Sequence, residues 1–141
     1  MDKQVKLHNQ GCLATQASDT LYSASMAVTI VRIIITGGVS MDSSVATGDV
    51  WPIVVMKVPE GVSNPTVSGT DNADVVDALD DQVLWAGAYP HQASQKETYE
   101  INIDVKGMRK LKEGDTIQIL YGAAQAGMGT FSGVSTVFLK E

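Results

Sequence analysis

The segment from residue 97 to residue 121 constrains the fold more than any other part of the chain. Apolar and polar side chains alternate in two runs, and the apolar positions are Tyr99, Ile101, Ile103, Val105, Ile117, Ile119 and Tyr121. A period of two with one apolar face is what a half-buried strand of a two-layer sheet requires. We therefore predict two strands, with Gly107 ending the first and a polar turn over 113–115 preceding the second.

Other segments rich in β-branched residues predict further strands at 27–35, 50–58, 82–88 and 130–140. Gly37 and Gly38 are expected to end the first of these, which is apolar enough to be buried on both faces or covered by a partner. One short helix is predicted over 73–80, capped by Asp71 or Asn72. Six to eight strands with almost no helical pattern predict an all-β fold, a single jelly-roll β-sandwich of two antiparallel sheets.

Size and composition describe one globular domain. The chain has 141 residues, 44% of them hydrophobic and 18% charged, which suits a packed core. Residues 1–19 are polar and are predicted to form an N-terminal arm or an edge segment, so residues 20–141 would form the folded domain. No run of 18 apolar residues and no signal peptide is visible, so membrane insertion is not expected.

Positive charge is concentrated in one place. The net charge is −6, so the chain as a whole does not attract nucleic acid, and any such contact must come from a local patch. The predicted corner between the two organising strands holds Lys106, Arg109, Lys110 and Lys112. This cluster is interpreted as a contact to nucleic-acid phosphates, a charged contact to another subunit, or a solvated turn balanced by nearby acids.

Motifs for catalysis or cofactor binding are missing. The single cysteine and the two histidines, His8 and His91, cannot build a cysteine-type zinc site or a cupin-type metal site. Nucleophile elbows and phosphate-binding loops are also absent, so we predict no enzyme, no cofactor and no metal centre. A set of acids (Asp71, Asp74, Asp77, Asp80 and Asp81) is either a solvated loop or a cation site without the EF-hand spacing.

The two tryptophans allow two interpretations. Trp51 and Trp85 lie in predicted strands. Aromatic residues there are usually core or interface anchors, and less often a stacking platform for sugars or single strands.

Several segments resemble one protein family. The runs VRIIITGG at 31–38, VWPIVVMKVPEG at 50–61, DQVLWAG at 81–87, KGMRKLKEGDTIQI at 106–119 and a final FLKE occur in the matching order. Together they resemble the single jelly-roll capsid proteins of small circular single-stranded DNA viruses, over roughly residues 20–141. The resemblance implies a coat protein of the virion that assembles many copies into an icosahedral shell around single-stranded DNA.

The resemblance also implies where partners would bind. Lys3, Lys6 and the basic cluster would face the genome or neighbouring subunits, and a host-cell receptor could bind the outside of the shell. Such capsid proteins usually begin with a long arginine-rich arm, whereas this sequence starts with only Lys3 and Lys6. We therefore expect a missing arm, weak genome packaging or empty particles. The alternative hypothesis is a small β-sandwich module that binds carbohydrate or a cell surface.

Overall fold

A computed structural model describes residues 2–11, 16–41, 50–63, 66–67, 76–77, 82–90, 97–122 and 129–140. These residues form ten β-strands: β1 (Asp2–Gly11), β2 (Gln16–Ser23), β3 (Val28–Met41), β4 (Val50–Val58), β5 (Thr66–Val67), β6 (Val76–Asp77), β7 (Val83–Pro90), β8 (Glu97–Leu111), β9 (Thr116–Gly122) and β10 (Gly129–Lys140). No helix in these ranges is long and apolar enough to cross a bilayer.

Eight of the strands form a jelly roll. The first sheet has the order β1-β10-β3-β8 and the second has the order β2-β9-β4-β7, with every neighbouring pair antiparallel. Strands that follow one another along the chain therefore lie mostly in opposite sheets, and β10 lies between β1 and β3. This arrangement confirms the predicted all-β jelly-roll sandwich. The division of the chain at residue 19 stays a prediction, and β2 runs across it.

The core lies between the two sheets and follows the predicted alternation. Tyr121 and Phe131 are fully buried, with ring centroids 5.8 Å apart. They are surrounded by inward-facing aliphatic side chains of both sheets, which include Ile33, Ile35, Val39, Ile53, Val55, Ile101, Ile103, Ile117 and Ile119. Burial of one face of each strand is what holds the sheets together.

The second sheet is also apolar on its outer face. Val54, Met56 and Leu120 point away from the core but are buried, and they form a separate cluster. The short hairpin of β5 and β6 lies beside this sheet, because β5 contacts β4 and β9. The helix predicted over 73–80 is therefore wrong at residues 76–77, which pair as a strand with 66–67; its other residues, and the capping residues, lie outside the described ranges.

Two predicted strand ends are wrong. β3 continues through Gly37 and Gly38 to Met41, and β8 continues through Gly107 to Leu111. Gly37 and Gly133 are opposite each other, and a Cβ on Gly133 would lie 2.4 Å from the Thr36 carbonyl oxygen. The glycines therefore permit a close approach of two paired backbones. Gly107 has φ of +119°, a conformation that accommodates an irregularity in the ladder without ending it.

A β-bulge explains the position of Arg32 in an apolar strand. Ile30 pairs with Leu139 and Arg32 pairs with Phe138, so Val31 is an extra residue of β3. Ile30 and Ile33 are both buried although they are three residues apart. Since alternation would place Arg32 on the same face as Ile30, the extra residue moves Arg32 to the outer face.

Asp115 connects the turns at one end of the sandwich. Its carboxylate accepts hydrogen bonds from the backbone N–H of Lys112 (2.9 Å) and of Glu60 (3.1 Å), and Lys57 Nζ lies 3.7 Å away. Backbone hydrogen bonds also join Ala24 to Gly114 and Asp115. Burial by itself would raise the pKa of Asp115, but the two backbone donors and the charges of Lys57 and Lys112 lower it overall.

The glycine contact gives a first prediction. Gly133→Ala should lower the free energy of unfolding by about 1–3 kcal/mol, because the added methyl group meets backbone atoms that cannot move aside. Urea denaturation followed by circular dichroism measures this. Ser132→Ala, a change at the exposed neighbouring residue, is the control and should have little effect. Equal stabilities of the two variants would contradict the close approach.

Asp115 gives a second prediction. Asp115→Asn should cost about 1–3 kcal/mol near neutral pH, because one oxygen no longer accepts an N–H and the negative charge is lost. The folded-state pKa is lower than the ordinary value of 3.8, so the stabilisation is complete above that value and is lost as pH falls through the folded-state pKa. Urea denaturation at pH 7 and at strongly acidic pH should therefore show the difference between wild type and variant shrinking.

The control is Asp104→Asn, which removes an exposed carboxylate from a surface ion pair and should change stability little. A difference between wild type and Asp115→Asn that stays constant with pH would contradict the assigned role of the carboxylate.

Candidate nucleic-acid interface on the first sheet

The outer face of the first sheet is open to solvent along much of its length. Outward residues of β1 and β8 at its two edges are exposed, and outward residues of β3 and β10 in its middle are mostly partly exposed. The outer face of the second sheet differs, because its apolar residues on β4 and β9 are buried. A broad accessible surface is therefore available on the first sheet.

One end of this outer face is basic. In one row across the four strands, Lys3 pairs with Phe138, Phe138 with Arg32, and Arg32 with Lys106. In the next row, Lys140 pairs with Thr29 and Thr29 with Lys110. Half of the ten Lys and Arg residues of the chain therefore share this end of one face. We call it the basic face, formed by Lys3, Arg32, Lys106, Lys110, Phe138 and Lys140.

Charge on the basic face is only partly neutralised. Arg32 donates two hydrogen bonds to Asp104, from Nε to Oδ1 (2.9 Å) and from Nη2 to Oδ2 (2.6 Å). The hydrogen bond from Arg32 lowers the pKa of Asp104, and the charge of Lys106 lowers it further. The pair holds the Arg32 guanidinium against the sheet in a fork geometry. The four lysines of the basic face are exposed.

A shallow depression lies beside the second row of the basic face. It has a volume of about 190 Å³ and is lined by Ala27, Val28, Thr29, Lys110, Leu111 and Lys140. Lys110 and Lys140 come from strands on either side of Thr29, so two lysines border one recess whose other lining residues are mostly apolar. Such a recess suits an anionic group.

Lys6 does not belong to the basic face. It pairs with Ser135, a core-facing residue, and its Nζ contacts Asp19 Oδ1 at 3.4 Å and donates to the Thr20 carbonyl oxygen. Next to it His8 is buried, with Nε2 2.7 Å from Ser135 Oγ and Nδ1 bound to Asp19. These contacts join β1 of the first sheet to β2 of the second, and the contact of Lys6 with nucleic acid or another subunit stays a prediction.

Asp19 is the shared acceptor in this cluster. Burial would raise the pKa of Asp19, but its hydrogen bond and charge interaction with His8, and those with Lys6, lower it overall. The carboxylate is therefore favoured in its charged form. The cluster fixes the position of β1 and with it Lys3.

The remaining predicted cations lie apart from the basic face. Arg109 pairs with Ile30, so its register position is on the opposite side of β8 from Lys110, and its Nη1 donates to the Met108 carbonyl oxygen. Lys112 is exposed at the start of the turn to β9. The predicted cluster is therefore divided by the strand: Lys106 and Lys110 share a face with Lys3, and Arg109 does not.

Trp51 and Trp85 are the two predicted aromatic anchors. Trp85 is partly buried and packs against the core. A Cβ on Gly87 would lie 2.6 Å from its ring, so the indole lies over its own strand. The side chain of Trp51 lies outside the described part of the chain, as do His91 and most of the acidic set over 71–81. An anchor role for Trp51 and Trp85 stays a prediction.

An apolar area adjoins the basic face along β1. Val5 is 59% exposed and Leu7 is 78% exposed, and both point outward. Val5 pairs with Thr136, which pairs with Ile34, and Leu7 pairs with Val134. We call Val5, Leu7, Ile34 and Val134 the apolar stripe. Apolar side chains grouped at a sheet edge are typical of protein–protein contacts.

Sequence patterns missed half of the basic face. Arg32, Phe138 and Lys140 were not predicted as site residues, since they lie far along the chain from Lys106 and Lys110. The alternation within β10 indicates that 138 and 140 share a face. Only the order of the strands shows that this face is also that of Lys3 and Lys110.

No protein-family model matches the chain, and no curated protein matches it. Solved structures similar to it include that of the infectious bursal disease virus Gx strain, with 13% identity over 96% of this chain and 32% of that one, at a TM-score of 0.40. Another is a pentameric capsid protein isolated from metagenomic phage sequences, with 13% identity over 96% of this chain and 62% of that one, at 0.41.

VP2 of infectious bursal disease virus in derived T=1 particles is similar at 13% identity over 95% of this chain, with a TM-score of 0.36. The chain spans about a third of the birnavirus protein and 62% of the phage protein. The assignment of the jelly-roll fold rests on the strand order of the two sheets, and the sequence comparisons identify no family.

Proposed function

We propose that this protein is a viral coat protein that assembles many copies into an icosahedral shell enclosing a single-stranded DNA genome. The observation that carries the proposal is the strand order, β1-β10-β3-β8 facing β2-β9-β4-β7. Eight-stranded jelly rolls of this kind occur in viral capsid proteins, lectins and cupins. The segment resemblance to capsid proteins of small circular DNA viruses selects the first of these.

Surface features support a role in assembly. The apolar stripe on β1, β3 and β10 offers area that association would remove from water. β1 is an edge strand paired with β10 over ten residues without a bulge, so its other side presents a regular row of backbone groups. Repeated contacts through such a surface close into a shell when symmetry permits. The protein would then be a non-enzymatic component of the virion.

The two rival uses of the fold have less support. A cupin-type metal site needs several histidines, and His8 already uses both ring nitrogens in the contact to Asp19 and Ser135. A carbohydrate-binding module would need aromatic rings along an exposed groove, whereas Trp85 packs against the core. Receptor binding by the assembled shell remains part of the proposal.

Particle size tests the proposed function. Light scattering and negative-stain microscopy of the purified protein, at low and high salt, should show uniform closed particles far larger than the 15.0 kDa chain. The response to salt measures how much of the contact energy is electrostatic. A stable monomer under all conditions would contradict self-assembly and favour a binding module.

A substitution in the apolar stripe tests whether this surface forms the contact between subunits. Leu7→Glu should abolish the particles without unfolding the chain, because Leu7 is 78% exposed and a carboxylate in a subunit contact must be desolvated. Met26→Glu is the control, since Met26 is 63% exposed but lies in the turn between β2 and β3. If Leu7→Glu still forms particles, or if both variants fail to form them, the apolar stripe is not the subunit contact.

A further inference from the structure

The basic face has a charge opposite to that of the whole chain. The net charge is −6, yet four exposed lysines share the end of one sheet face, and Arg32 is there with Asp104 as its partner. A polyanion approaching the protein is therefore attracted to this end and repelled elsewhere. Contact with phosphates there would release counterions and give salt-dependent affinity.

An aromatic ring lies among these cations. Phe138 is partly exposed and sits between Lys3 and Arg32 in the first row. Unpaired bases stack on aromatic rings of this kind regardless of sequence. A sheet face that combines aromatic rings with cations is also how several small domains bind single strands.

The shape of the surface favours a single strand over a duplex. Four strands spaced about 4.8 Å apart place Lys3 and Lys106 roughly 14 Å from each other, and the second row lies about 7 Å further along the strands. Among the described residues, no helix or hairpin that could enter a groove of B-DNA projects from this sheet face, so a duplex would be held by phosphates alone. In an extended single strand, phosphates can reach the lysines while a base reaches Phe138.

We propose that the basic face binds the backbone of a single-stranded nucleic acid, with Lys3, Lys106, Lys110 and Lys140 at the phosphates and one base stacked on Phe138. The sequence of the nucleic acid is not read, because the lysines contact phosphates and stacking accepts any base. This inference deepens the proposed function, on which it rests for the source of the strand: it names the surface that faces the enclosed genome.

The test measures binding of a fluorescein-labelled oligothymidylate of about 12 nucleotides by fluorescence anisotropy at several salt concentrations. Where the wild-type protein forms particles, the Leu7→Glu substitution keeps it unassembled at every salt concentration. We expect log affinity to fall with log salt concentration with a slope of about −2 to −3, since each phosphate contact to a single strand contributes about −0.7. No detectable binding at low salt would overturn the proposal.

Two adjacent residues provide a matched pair of variants. Lys110→Ser and Arg109→Ser each remove one positive charge from an exposed residue of β8, but their register positions are on opposite sides of the strand. Lys110→Ser should weaken binding several-fold and reduce the salt slope by about 0.7, whereas Arg109→Ser should leave both unchanged. Equal effects of the two variants would show that overall charge, and not the basic face, determines the affinity.

Phe138→Leu tests stacking separately from charge. It should weaken single-strand binding by about tenfold and leave binding of a polyphosphate unchanged, because only the base contact is lost. Thermal unfolding by circular dichroism verifies that the Phe138→Leu variant is folded. If that variant is less stable, Phe138→Trp provides the second test: it keeps an aromatic ring and should therefore bind the single strand as the wild type does. A duplex that binds as tightly as the oligothymidylate, with no effect of Phe138→Leu, would overturn the single-strand assignment.

Light scattering on the wild-type protein, measured beside the binding experiments, separates this inference from the proposed function. Particles without oligonucleotide binding would overturn the inference and leave the coat-protein proposal in place. Oligonucleotide binding through Lys110 without particles under any condition would support the basic face and contradict the shell.

Discussion

The insertion of β10 between β1 and β3 is the interaction on which the rest of the structure depends. β10 pairs with β1 over ten residues and with β3 over twelve, so the last strand of the chain joins the first to the middle. Its inward side supplies Phe131 and Val137 to the core. Its outward side places Phe138 between Lys3 of β1 and Arg32 of β3, and Lys140 beside Thr29 of β3. Without this pairing neither the core nor the basic face would exist.

Local sequence patterns predicted the type of fold and most of the strands. Alternation in 97–105 and 117–121 indicated half-buried strands, and the structure has β8 and β9 there. β8 is half-buried as predicted, whereas β9 is buried on both faces, because Gln118 and Leu120 are buried as well. The predictions were wrong where the local propensity of a segment disagrees with the strand pairing that the whole fold imposes. Gly37 and Gly107 interrupt a propensity pattern, but one permits close approach to Gly133 and the other accompanies a bulge. Residues 76–77 satisfy a helical spacing, yet they pair as a strand with 66–67.

The sequence predicted only those residues of the candidate site that lie close together along the chain. Lys106 and Lys110 were identified from their proximity along the chain, but Arg109 in the same cluster belongs to the other side of β8. Arg32 reaches the outer face because Val31 is an extra residue, and no sequence pattern indicates that bulge. Long-range register decides which charges meet, and it depends on the whole fold.

The central position of β10 has a consequence for synthesis of the protein. Chains emerge from the ribosome with the N-terminal part first, and domains fold as units once enough of the chain is present. β1 and β3 cannot complete their sheet until β10, which ends at Lys140, has been made. Until then the edge of β3 that pairs with β10 is open to other chains. Synthesis of β10 is therefore the step that closes this edge of β3 and completes the first sheet.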